Sequence, residues 1–116
     1  MAQPSLPSLD GRRFVMESST ASIVDPQSPS RFLYHERDGL VWGDYEGDTV
    51  TIGHFVGTRI GDALSVTFAH VVAANGAVVT GASDSTVRTA EDGRLRLVED
   101  FRIGGVDHVS SCIEVP

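Results

Sequence analysis

The chain of 116 residues contains one cysteine, Cys112, so no intrachain disulfide can brace it. Stability has to come from a packed core, and one domain of this length can bury one without covalent staples. Basic residues are also scarce, nine against sixteen acidic ones, for a formal net charge of −7. A surface of that sign does not track phosphates, so no nucleic-acid partner is expected; the acidity serves solubility. No apolar run approaches the ~18 residues that suggest a membrane span, and no membrane association is expected. The first ten residues lack the charged start and apolar run of a secretory signal, which points to a cytoplasmic location. A phosphate-cradling glycine loop and a dinucleotide fingerprint are both missing, and no segment shows a helical period.

What the chain has instead is turn chemistry at short intervals. Asp38-Gly39, Glu46-Gly47-Asp48, Gly61-Asp62, Asn75-Gly76, Asp92-Gly93 and Gly104-Gly105 supply the positive φ angles of tight hairpins. Between them lie runs rich in Val, Ile, Thr, Phe and Tyr, as strands prefer. Eight strands are predicted, at 11–18, 30–37, 39–46, 49–58, 62–73, 76–89, 93–104 and 107–115. Residues 1–9 read as a flexible arm before a single domain over 10–116. The one long connection, 19–29, contains Pro26 and Pro29 and is either a surface loop or a flap over one end. Eight sequential antiparallel strands form a meander, and closure into an up-and-down barrel hides its edges. The expected fold is therefore an all-β, eight-stranded antiparallel barrel; a β-sandwich needs longer crossovers than this chain offers.

Residues 93–104 carry the clearest single signal. Leu95, Leu97, Phe101 and Ile103 alternate with polar neighbours, the period of a strand with one wet and one dry face. Glu99 falls within the dry row, where a carboxylate must be paired, hydrogen-bonded or neutral. The same parity sends Phe68 and His70 inward from 62–73, His54 inward from 49–58, and Phe32, Tyr34 and Glu36 inward from 30–37. On 39–46 the rows Leu40, Trp42, Asp44 and Val41, Gly43, Tyr45 compete. Near the C-terminus Ser111 reads as inward and Cys112 as outward. Each inward polar group has a plain structural reading as a satisfied core residue. Their number favours a polar-lined pocket inside the barrel.

The candidate ligand-binding set is therefore Tyr34, Glu36, Trp42, His54, Phe68, His70, Glu99, Phe101 and Ser111. Two histidines and a carboxylate match a zinc set in type but not in spacing, so neither metal nor other cofactor is expected. The leading functional expectation is a barrel that binds a small organic molecule. The alternative is an acid–base enzyme (an isomerase, dehydratase or cyclase) using Glu99 and His70 as catalytic groups. A third reading is a filled barrel serving as an interaction module, possible as a homodimer, with Phe55 and Val87 outward.

From Phe32 onward the chain also resembles a widespread bacterial family of small proteins. The resemblance rests on Phe32-Leu33-Tyr34-His35, Leu40-Val41-Trp42, Tyr45-Glu46-Gly47, Ile52-Gly53-His54-Phe55-Val56-Gly57, Phe68-Ala69-His70-Val71 and Asp92-Gly93-Arg94-Leu95-Arg96-Leu97-Val98-Glu99. Shorter blocks at Thr80-Gly81, Ser85-Thr86 and Ser111-Cys112-Ile113-Glu114 support it. Members are often labelled N-acetylglutamate synthase, yet nothing here resembles an acetyl-coenzyme A pyrophosphate loop. The family looks like small barrels of the lipocalin-like or avidin-like kind. The resemblance implies recurrent polar positions at Tyr34, Tyr45, His70, Ser85, Glu99 and Glu114. This chain departs from the family pattern at Glu36, Phe68, Phe101 and Val115, where Gln, Tyr, Trp and an acidic residue are usual.

Overall fold

A computed structural model describes residues 6–20, 24, 27–103 and 105–116. Eight strands follow one another: β1 (Arg13–Ser19), β2 (Arg31–Arg37), β3 (Leu40–Gly47), β4 (Val50–Ile60), β5 (Ala63–Val72), β6 (Val78–Thr89), β7 (Leu95–Ile103) and β8 (Val106–Val115). Each pairs antiparallel with the next, and β8 returns to pair with β1, closing an up-and-down barrel. The expected meander and its closure are both present, with every strand end within two residues of its expected place. Closure removes the two open edges that a meander of this length would expose. The β2–β3 turn shows the local cause: Asp38 and Gly39 take φ of 51° and 78°, the doubly positive geometry of a type I′ hairpin.

The two ends of the barrel differ. At the end carrying the β2–β3, β4–β5 and β6–β7 turns, Leu9, Phe14, Val41, Leu64, Leu95 and Leu97 are all buried and fill the interior. Leu9 has no exposed surface at all, and Leu6 packs against the same cluster. Of the expected flexible arm 1–9, residues 1–5 lie outside the described residues. Leu9 is held by its backbone N–H, which donates to Glu36 Oε1 at 2.9 Å. Arg59 donates to the same oxygen at 2.7 Å and to the Pro7 carbonyl at 2.9 Å. Burying one such leucine contributes roughly 1.5–3 kcal/mol, so the segment entering β1 acts as a plug.

Side-chain parity follows expectation on β2, β5 and β7 and inverts on β4 and β8. Along β4 the register slips between Val50 and Ile52, because Thr51 is an extra residue in a bulge. One inserted residue turns every later side chain to the other face. Gly53 and Phe55 therefore point inward, while Ile52, His54 and Val56 are exposed. On β3 the Val41, Gly43, Tyr45 row faces the core, and Trp42 stacks on His35 at the outer surface with ring centroids 5.6 Å apart. On β8 Ser110, Cys112 and Ile113 are buried, and Cys112 belongs to the core cluster. Phe55 and Val87, expected outward, are both core residues.

Candidate functional site

The opposite end of the barrel is hollow. A cavity of about 230 Å³ lies between the strands, bordered by Ser19 at the end of β1, Ser30 just before β2, Thr49 and Val50 at the entry to β4, Val79 at the start of β6 and Phe101 of β7. Ser30 is anchored beside it, its N–H and hydroxyl both donating to Asp48 Oδ2 at 2.7 and 2.8 Å. The idea that 19–29 acts as a flap falls in part on residues 21–23, 25 and 26, outside the described residues.

Glycines make room for the aromatic wall. Gly43 is the cross-strand partner of Phe55, Gly53 of Tyr45 and Gly81 of Phe68. A Cβ on each would lie 2.6 Å from Phe55 Cζ, Tyr45 Cε1 and Phe68 Cζ respectively. Each ring thus lies flat over a backbone that has no side chain to hold it off. The rings then contact one another: Phe32 stacks on Tyr45 at 5.0 Å, Tyr34 meets Phe55 at 4.6 Å, and Phe68 meets Phe101 edge-on at 6.3 Å. Rings pressed to the wall leave the lumen open.

Two polar groups are set into this wall. Glu99, on β7, accepts from the Ser110 hydroxyl at 3.1 Å and the Tyr34 hydroxyl at 3.5 Å. Ser85 and Ser110 are its cross-strand neighbours on β6 and β8. The Ser85 hydroxyl is buried with no hydrogen-bond partner among the described residues. Burial raises the Glu99 carboxyl to about 6, against the pull of the two hydroxyl donors. Its remaining exposure is to the cavity that it lines. Across the lumen, Tyr45 Oη and His70 Nδ1 are 2.7 Å apart. Burial pushes the Tyr45 phenol up, assisted by the Glu99 charge, and pushes the His70 imidazole down. Both are therefore neutral at pH 7, and the imidazole tautomer decides which of them donates.

Of the residues singled out in the sequence, Tyr34, Phe68, His70, Glu99 and Phe101 line the cavity. The other four lie elsewhere. Glu36 sits at the plugged end, committed to Arg59 and Leu9. Trp42 is on the outer surface, and His54 lines an outer groove with Arg13, Asp44 and Ile52. Ser111 also faces out, donating to Glu17 Oε2 at 2.8 Å, while its neighbour Ser110 takes the inward place. Parity sent Phe32 inward although it was not counted in the candidate set, and it missed Phe55 and Ser110 as lining residues. The signal for Phe55 was Gly43, a residue that fits opposite an inward ring and nowhere better.

A barrel of eight sequential antiparallel strands, hollow at one end and lined by rings and a carboxylate, is matched by the family model for avidin-like proteins over residues 7–115. The chain belongs to the avidin-like protein family. No curated protein and no solved structure matches it. Avidin-like barrels bind small ligands. Cys112, although fully buried close to the site, is no nucleophile: burial and the Glu99 charge hold its thiol well above the ordinary range, and only a thiolate attacks.

Proposed function

We propose that this avidin-like barrel binds one small organic molecule in the hollow end, with Glu99, Tyr34 and Ser110 fixing a polar group and the aromatic rings enclosing the carbon body. The observation that carries this reading is the pairing of a cavity of about 230 Å³ with a buried carboxylate at its wall. A dry cavity of roughly 150 Å³ accommodates benzene, and drug-sized ligands occupy about 300 Å³ or more. The fitting ligand thus has one ring or a short branched chain. His70 and Tyr45 offer a second, neutral hydrogen-bonding point across the lumen.

Native mass spectrometry of freshly purified protein tests the proposal directly. A co-purifying small molecule is expected, at one per chain, and it should be lost in Glu99→Ala and weakened in His70→Ala. If both variants fold and retain the molecule as tightly as the native chain, the site assignment is wrong. Turnover of the bound compound that disappears in Glu99→Gln would move the assignment from binding to acid–base catalysis, for which a carboxyl near 6 is suited.

A further inference from the structure

Other carboxylates of this protein sit beside arginines. Glu36 meets Arg59 at 2.7 Å, Glu114 meets Arg12 at 2.6 Å, Glu17 meets Arg96 at 2.9 Å and Asp107 meets Arg102 at 2.8 Å. Glu99 has no such partner among the described residues, although it is the one set into the wall of the cavity. All nine basic residues are arginines, and none of them lines the cavity. The single basic group there is His70, which burial keeps neutral. The donors that Glu99 has are two hydroxyls, one of them at the long distance of 3.5 Å, whereas a carboxylate can take about four.

The surroundings favour positive charge further. Six aromatic rings line the cavity (Phe32, Tyr34, Tyr45, Phe55, Phe68 and Phe101), and ring faces attract cations. The net charge of −7 steers cations toward the protein and anions away. An anionic ligand would meet the Glu99 charge with no counter-ion, and a neutral one would leave that charge uncompensated.

We propose that the ligand of this cavity is a small organic cation, an ammonium whose N–H groups donate to the Glu99 carboxylate while its carbon body lies against the aromatic wall. This rests on the binding reading above and names the chemical class that the site takes. The groups facing Glu99 are Tyr34 from β2, Tyr45 from β3, Ser85 from β6 and Ser110 and Cys112 from β8, with His70 of β5 across the lumen. None of them supplies positive charge at neutral pH, so ammonium affinity follows the ionisation of Glu99. It falls about tenfold from pH 7.5 to pH 5.

The test is calorimetric titration at pH 7.5 with 2-phenylethylamine, 2-phenylethanol and phenylacetate, which share one carbon skeleton and differ in charge. The amine is expected to bind at least about tenfold more tightly than the alcohol, and the acid more weakly than either. Glu99→Gln should bind the amine no better than the alcohol. Equal or tighter binding of the alcohol or the acid overturns the cationic class and leaves the cavity reading standing, as does an amine preference that survives in Glu99→Gln. Failure of all three probes to bind overturns the cavity reading and this inference with it. Should Glu99→Gln not fold, amine binding to the native protein at pH 5 and 7.5 decides the matter: an unchanged affinity overturns the proposal.

Discussion

Gly53 and Tyr45 lie directly opposite one another across β3 and β4, and the phenol ring occupies the space where a Gly53 side chain would be. The same ring continues to His70, which its hydroxyl meets at 2.7 Å. One hydrogen atom in place of a methyl therefore fixes where an aromatic wall residue sits and which polar group it holds.

Gly53→Ala is accordingly expected to push the Tyr45 ring into the lumen. Overpacking of this kind costs about 1–3 kcal/mol, readable as a lower urea midpoint. Ligand affinity should fall with it, because the displaced ring takes up cavity volume and leaves His70 without its phenol. Unchanged stability and affinity would show that the wall yields more easily than the contact implies.

Glu99 makes stability fall as pH rises. Its carboxyl titrates at about 6 in the fold against an ordinary 4.5, so between these values the native state holds more protons than the unfolded chain. The native state is therefore favoured fully below 4.5, and by pH 6.5 to 7 about 2 kcal/mol of that advantage is lost. Denaturant melts across pH 4.5–7 should show this slope in the native protein and its absence in Glu99→Gln, which is expected to be the more stable of the two at pH 7.

At the plugged end, Arg59→Ala leaves the Glu36 carboxylate without its guanidinium, in a place where the two side chains are only 7% and 17% exposed. Breaking a pair this buried costs about 3 kcal/mol. Amide exchange at Leu9 should accelerate, since its N–H shares the same oxygen. The affinity of the ligand at the far end should stay within about twofold, because sites that share no partners act independently. Replacing both partners together, as Glu36→Gln with Arg59→Met, is expected to cost less than Arg59→Ala alone.

Cys112 offers a clock for barrel opening. It has no exposed surface, so a thiol reagent should label it only through unfolding, at a rate independent of reagent concentration once reagent is in excess. Immediate stoichiometric labelling of the native protein would contradict its inward placement.

Strand number, order and closure were legible because turn residues recur between β-prone runs, and because a meander of eight has few ways to hide its edges. The site was half legible. Alternation found Tyr34, Phe68, His70, Glu99 and Phe101, on strands whose alternation no extra residue breaks. It failed on β4, where Ile52 and Val56 look like core and Gly53 like surface. In a hollow barrel the inward row carries glycine wherever a neighbouring ring needs its place, so apolar content points to the wrong face. The Thr51 bulge completes the inversion, and a bulge has no signature in composition. On β8 Ser110, Ser111 and Cys112 are similar in size and polarity, so nothing in the local pattern separates the two rows.

The ring of strands is not equally strong all round. β1 and β2 share three ladder pairs, Arg13 with Leu33, Phe14 with Phe32 and Val15 with Arg31, followed by one bond from the Met16 N–H to the Ser30 carbonyl. Seven pairs join β2 to β3. Met16 and Ser30, where that short ladder ends, both border the cavity. The weakest seam of the wall thus runs into the side of the cavity. A guest bound there, as proposed above, would act as a rivet across it, and occupancy should slow unfolding as well as shift its equilibrium.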